Sequence, residues 1–123
     1  MASDHGILDA LRKSNEIELS VRGRTTGRVI PRPVWFALSK DEKSIFLIPV
    51  NGRKTQWYLN VKKEPEVNIR VGGRAFTGRI AEVGQAKFKD ALDAFTARYG
   101  ERDMKEYYPN LEVALEVLLP VHS

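Results

Sequence analysis

The chain contains no cysteine, which excludes disulfides, thiolate metal sites, iron–sulfur ligation and a cysteine nucleophile together. Histidine is almost as scarce. Only His5 and His122 occur, one near each end, so a histidine metal cluster or a Ser-His-Asp triad would need both ends of the chain to converge. Long apolar runs are also missing: stretches such as IFLIPV at 45–50 are too short to cross a bilayer. The opening MASDHGIL lacks the basic-then-apolar order of a secretory leader, so a cytoplasmic address is expected. Among the carboxylates, Glu16, Glu18, Asp41 and Glu42 fall on strand faces or in turns. No pair has a spacing that points to acid–base catalysis.

What remains has the composition of an ordinary globular protein, with 42% hydrophobic and 29% charged residues. A length of 123 residues suits one barrel or sandwich core and is short for two. One domain is therefore expected over 1–123. Lys and Arg number 20 against 16 Asp and Glu, a net charge of +4 that suits anionic partners without choosing among them.

Apolar residues at helical spacing, Ile7, Leu8 and Leu11, predict a short amphipathic helix within 1–15, with Ser3 or Asp4 as its cap. The period then changes to two. In EIELSVR, Ile17, Leu19 and Val21 alternate with polar residues, the mark of a strand with one buried face. The next strand, 29–38, carries Pro31 and Pro33, whose missing N–H groups face the same edge, so that edge cannot carry an ordinary ladder throughout. A polar connection at 39–44 leads to SIFLIPV, apolar enough to be buried on both faces. Thr55 is the expected N-cap of a crossover helix that Pro65 terminates. Strands at 66–71 and 74–83 flank Gly72-Gly73, a tight-hairpin dipeptide. A helix with Phe88, Leu92, Phe95 and Tyr99 on one face, a short piece at 101–110 and a closing strand at 111–121 complete the chain. The sum is about six strands with inserted helices, the pattern of a small antiparallel barrel with peripheral helices.

One local string occurs twice. GRTT at 23–26 and GRKT at 52–55 share Gly-Arg-x-Thr, each at a strand end. Glycine permits close backbone approach, arginine offers a planar fork of donors, and threonine adds a hydroxyl. At the second copy Lys54 stands beside the start of a helix, where free N–H groups favour anions. Both copies read either as anion cradles or as basic surface turns. Trp35 and Trp57 fit the walls of a flat-ring pocket or plain core packing, and Tyr107-Tyr108 fits a lid, a pocket rim or packing.

Taken together, GRTTGRVIPRPVWF, IFLIPVNGRKTQWYLNVKKEPEVNIRV and GRAFTGRI resemble the deazaflavin (coenzyme F-420)-dependent nitroreductase family of split β-barrel proteins, over about residues 17–83. The residues that carry the likeness are Gly23-Arg24-Thr25-Thr26-Gly27, Pro33-Val34-Trp35-Phe36, Pro49-Val50-Asn51-Gly52, Trp57-Tyr58-Leu59-Asn60-Val61 and Glu64-Pro65-Glu66-Val67. The resemblance implies a mainly β protein with peripheral α-helices, a six-stranded antiparallel split β-barrel whose cofactor lies across the sheet. It assigns cofactor contacts to Arg24, Thr25, Thr26, Gly27, Arg28, Arg32 and Pro33, and to Pro49, Val50, Asn51, Gly52, Lys54, Thr55 and Trp57. The chain departs from the pattern at Thr25 and Ile30, where relatives often carry a basic residue, and Arg28 and Arg32 are the cations available to substitute.

The implied activity is hydride transfer between coenzyme F-420 and an electron-poor small molecule: a quinone, an activated alkene or a nitro compound. Trp35, Tyr107 and Tyr108 are the residues expected beside that acceptor, and no catalytic side chain or metal is needed. FMN is the alternative cofactor, in a split barrel where two chains complete the site. A noncatalytic phosphate, nucleic-acid or haem binder is the alternative from another class. Nucleic acid is the less suited partner, because the aromatics are few and the arginines cluster at turns instead of along one strand face. A homodimer is the expected assembly, since the proline-marked edge and apolar strands leave surface for a second barrel.

Overall fold

The structure, a computed structural model, describes residues 2–109 and 111–120, with side chains from position 6 onward. The cap residues expected at Ser3 and Asp4, the side chain of His5, and His122 lie outside the described side chains. In chain order the elements are α1 (Ala2–Lys13), β1 (Glu16–Arg22), β2 (Val29–Trp35), β3 (Ala37–Leu38), β4 (Ser44–Leu47), α2 (Gln56–Lys63), β5 (Glu66–Val71), β6 (Arg74–Glu82), α3 (Gln85–Tyr99), α4 (Glu101–Tyr107) and β7 (Leu115–Leu118). No described helix is long and apolar enough to cross a membrane.

All the strands belong to one antiparallel sheet in the order β2-β1-β5-β6-β7-β4-β3. The segment expected as one strand at 29–38 is in fact two, broken at Phe36, so the sheet has 7 strands instead of six. That break explains the architecture. β2 and β3 are the two ends of the sheet, yet a single residue separates them in sequence. Only a strongly curled sheet can bring its opposite edges to one residue, and the result is a half-closed barrel. Pro31 and Pro33 sit on terminal strand β2, opposite Ser20 and Glu18, where the side facing away from β1 needs no N–H donors.

The break is held from outside the sheet. Phe36 is fully buried, and the Tyr99 hydroxyl accepts its backbone N–H at 3.2 Å while lying 2.7 Å from its carbonyl. The same hydroxyl is 2.8 Å from Asn15 O, so α3 pins both the junction and the approach to β1. Arg98 stacks its guanidinium 4.5 Å from the Phe36 ring and donates to the carbonyls of Leu11 and Ser14 at the end of α1.

Two apolar clusters follow from the alternation along the strands. The barrel interior collects Ile17, Leu19 and Val21 of β1, Ile45 and Leu47 of β4, and Val67, Ile69 and Val71 of β5, plugged by Trp57, Tyr58 and Val61 of α2. The second cluster lies on the other face, where Phe46 and Ile48 meet Ala91 and Phe95 of α3, Met104 of α4 and Tyr108. β4 is thus buried on both faces, as its unbroken apolar run predicts. The Gly72-Gly73 hairpin has φ of 55° and 77°, the conformation that selects glycine in a two-residue turn.

Candidate functional site

The first Gly-Arg-x-Thr turn closes on itself. Gly23 N–H donates to Arg28 O at 2.7 Å and Gly27 N–H to Gly23 O at 2.9 Å, while Arg28 N–H donates to Thr26 Oγ1 at 3.2 Å. Arg22, on the approaching strand, braces the turn by donating to Gly27 O at 2.7 Å. Arg24 then ties the turn to α2: its guanidinium donates to Asn60 Oδ1 at 2.8 Å and to Gln56 Oε1 at 3.2 Å, and its backbone N–H also reaches Asn60 Oδ1. Asn60 is buried, so these donors satisfy an acceptor that would otherwise be costly to bury. Lys63 completes the clasp by donating to Arg24 O at 3.3 Å.

The second turn leaves β4 through buried Pro49 and exposed Val50 and Asn51, then forms a 3-10 turn over Gly52–Lys54. Thr55 holds the N-cap position of α2, but its hydroxyl makes no cap bond; it accepts Asn51 N–H at 2.9 Å and so ties the turn together. Gly52 has φ 58°, and a Cβ there would lie 2.0 Å from Glu112 Oε1. The same oxygen accepts Arg53 N–H at 2.7 Å. The Arg53 guanidinium is anchored separately, on Tyr58 Oη at 3.1 Å and Glu82 at 3.5 Å. Tyr58 donates its hydroxyl to Glu82 Oε1 at 2.6 Å. That bond, with Arg53 and Lys62 nearby, holds the Glu82 carboxyl below the usual carboxylate range against the opposing effect of burial. Burial, then Glu82, pushes the Tyr58 phenol up. The pair is a phenol donating to a carboxylate at neutral pH.

Because Arg24 reaches Gln56, the first residue of α2, the two copies of the string converge on the start of one helix. Arg28, Arg32 and Lys54 are exposed, and none has an acidic partner within salt-bridge distance among the described residues. Arg32 lies opposite Leu19 on the core side of the sheet, whereas Pro33 lies opposite Glu18 on the other side. Neighbours in sequence, they do not share a face. A Cβ on Gly27 would meet nothing within 4 Å. Trp57 is 5% exposed within the barrel interior, which is the packing alternative for that residue. Thr25 and Thr26 are exposed at the turn tip.

Trp35, Tyr107 and Tyr108 do come together. Trp35 stacks on Tyr99 with ring centroids 4.2 Å apart, and Tyr107 and Tyr108 lie at 5.4 and 5.9 Å. Tyr108 is buried, whereas Tyr107 is 49% exposed. Tyr107 thus meets the aromatic cluster, and Glu112 meets the Gly52–Arg53 turn. Arg53, Glu82 and Glu112 are the site residues that sequence alone did not single out. Arg53 stands inside the repeated string, but the two glutamates reach the turn only through tertiary contacts. A groove of about 690 Å³ between the β3–β4 hairpin and α3, lined by Leu38, Asp41, Phe46, Asp90, Ala94 and Glu116 among others, includes none of the turn residues.

The curled antiparallel sheet, plugged by α2, is the split-barrel fold found in flavin- and deazaflavin-binding proteins. The sequence profile of the F-420H(2)-dependent quinone reductase family matches residues 1–117. The chain belongs to that family of deazaflavin-dependent oxidoreductases. Similar folds include an F-420-H(2)-dependent reductase, FDR-A, at TM-score 0.67 and 15% identity, covering 84% of this chain and 93% of the other. A FAD-binding protein from Mesorhizobium loti gives 0.68 and 18%, covering 97% and 91%. A protein of unknown function from Agrobacterium tumefaciens gives 0.77 and 16%, covering 96% of this chain; the chain spans only 53% of that protein. No functionally curated protein matches the sequence.

Proposed function

We propose that this protein binds coenzyme F-420 and carries hydride between it and an electron-poor small molecule: a quinone, an activated alkene or a nitro compound. The observation that carries the proposal is the convergence of both Gly-Arg-x-Thr turns on the start of α2, with Arg24 spent on the clasp and Arg28, Arg32 and Lys54 without an acidic partner among the described residues. The donor set fits a phosphate-bearing coenzyme: three exposed cations with no acidic partner within salt-bridge distance among the described residues, an open glycine at position 27, and the N-terminal N–H groups of α2, to which Arg24 ties the first turn.

When bound, the deazaflavin supplies a hydride. The chain's own task is then binding and alignment. Arg28 and Lys54 neutralise the phosphate, Arg32 adds charge from the strand, Thr25 offers a hydroxyl where relatives often carry a cation, and Thr26 adds a second hydroxyl beside it. Val50 and Asn51 are the exposed part of the second turn available to a ring. Trp35 and exposed Tyr107 form the surface against which a flat acceptor stacks, while Tyr108 supports it from beneath. We place this activity in the cytoplasm and in a homodimer; a solution mass equal to that of one chain would remove the dimer.

The test is turnover. Purified protein mixed with reduced coenzyme F-420 and a naphthoquinone, a nitroarene or an activated enone regenerates oxidised deazaflavin absorbance, and the double variant R28A/K54A slows this by at least about tenfold in kcat/KM. Reoxidation no faster than without protein, across all three acceptors, rules the proposal out. Turnover with FMN alone assigns the same seat to FMN.

A further inference from the structure

Strands β2, β1, β5 and β6 turn their outer residues to solvent. At the middle of this face Glu18 lies opposite Arg70 and Ser20 opposite Asn68, and the same register continued brings Arg22 to Glu66. We propose that this face docks a second copy of the chain, charge square against charge square. The proposal rests on the homodimer placed above and supplies its interface.

The charge pattern names the occupant. Glu18, Arg70, Glu66 and Arg22 are all exposed and stand at the corners of a square whose every side joins unlike charges, with Glu18 and Arg70 4.0 Å apart. A polyanion or a polycation laid on the square is repelled by half of it, whereas a copy of the square turned by a two-fold axis in the plane of the interface meets unlike charge at every corner. With the axis across the strands, Glu66 faces Arg70 of the second copy and Glu18 faces its Arg22. With the axis along the strands, Glu18 faces Arg70 of the second copy and Glu66 its Arg22. The remaining cation, Arg79, lies opposite Glu66 in its own sheet and falls over Ala75 or Val29 of the second copy, never over another cation. Between the charged corners, Pro31, Ser20, Asn68 and Thr77 form an uncharged rank. Composition points the same way. No lysine occurs on the four strands, so the cations of the face are all arginine, the residue enriched in interfaces and suited to their ion pairs, where lysine is depleted. Two such faces stack as aligned sheets, their strand directions within about 30°.

The experiment is sedimentation velocity of the full chain at about 100 μM, a concentration that fills a dimer of micromolar Kd. Wild type is expected at twice the chain mass of 14.0 kDa. Glu18→Arg, Glu66→Arg and Arg70→Glu each set like charges against one another under either axis, and each is expected to weaken the dimer by about tenfold or more with the urea midpoint unchanged. Glu101→Arg, an exposed change on α4, alters net charge as much as the two glutamate variants and leaves the dimer intact. Mixing then restores what each variant loses: Arg70→Glu with Glu66→Arg re-forms the dimer if the axis crosses the strands, and Arg70→Glu with Glu18→Arg if it follows them. A dimer that none of the three variants weakens, or that neither mixture restores, overturns the proposed face and leaves the homodimer standing. A wild-type mass of one chain overturns the face and the homodimer together, while hydride transfer is tested separately by turnover.

Discussion

At the scale of the residue, chemistry that looks alike in sequence divides by what each side chain touches. Arg22, Arg24, Arg28 and Arg32 occur within eleven positions, yet Arg22 braces the turn, Arg24 is consumed by Asn60 and Gln56, and Arg28 and Arg32 are exposed with no acidic partner among the described residues. Thr55 occupies the cap position its sequence predicts, but spends its hydroxyl on Asn51. Tyr99 shows the same point from the other direction. Its place on an apolar helical face predicts packing; its hydroxyl does more, since it satisfies the backbone of Phe36 where the long strand breaks. Replacing Tyr99 by Phe leaves the buried Phe36 N–H without a partner, so the urea midpoint should fall by the equivalent of about 1–3 kcal/mol, with altered Trp35 fluorescence because the two rings stack. An unchanged midpoint would show that the junction is held by packing alone. The string Gly-Arg-x-Thr was legible because it repeats. Glu82 and Glu112 were not, since a glutamate that meets a turn across the fold carries no local spacing.

At the scale of the element, most boundaries followed from periodicity and punctuation: β1 from its alternation, the Gly72-Gly73 hairpin from its dipeptide, the end of α2 from Pro65. The split of 29–38 into β2 and β3 did not, because both halves are extended and only the sheet order reveals that they occupy opposite edges. The closing strand is shorter than expected, Leu115–Leu118, since the preceding residues run past the second turn instead of pairing. The contacts of α2 predict two different outcomes for two arginines in one turn. Arg24→Ala strips Asn60 of a side-chain donor and unclasps the turn, so it should lower folding stability by about 1 kcal/mol as well as weakening coenzyme binding. Arg28→Ala makes no such contact and should weaken binding by about tenfold with the denaturation midpoint unchanged. Chemical denaturation and fluorescence titration on both variants check the split; a stability loss in Arg28→Ala would place that side chain in the fold.

At the scale of the whole molecule, one curled sheet with an apolar cluster on each face buries phenols in both. Burial is the leading cause that pushes Tyr58, Tyr99 and Tyr108 up from the ordinary tyrosine value. The folded state keeps these protons at a pH where the unfolded chain has released them, so stability falls as pH rises beyond about 10. Glu82, held low chiefly by Tyr58, has the opposite sign: its contribution is present at neutral pH and is lost as pH falls through its depressed value. Urea midpoints should therefore be flat near neutrality and decline above pH 10, with tyrosinate absorbance rising as the chain unfolds; tyrosinate formation at the ordinary value without loss of structure would contradict this. The sequence profile places the chain in the family of deazaflavin-dependent oxidoreductases, and the basic turns beside α2 are where we propose that the coenzyme is held. The most direct measurement is an equilibrium titration of the purified protein with coenzyme F-420 and, separately, with FMN, following ring fluorescence. The account predicts saturable quenching with F-420 that weakens about tenfold in Arg28→Ala and in Lys54→Ala. Absence of quenching with F-420, or equal affinity in wild type and both variants, would contradict it.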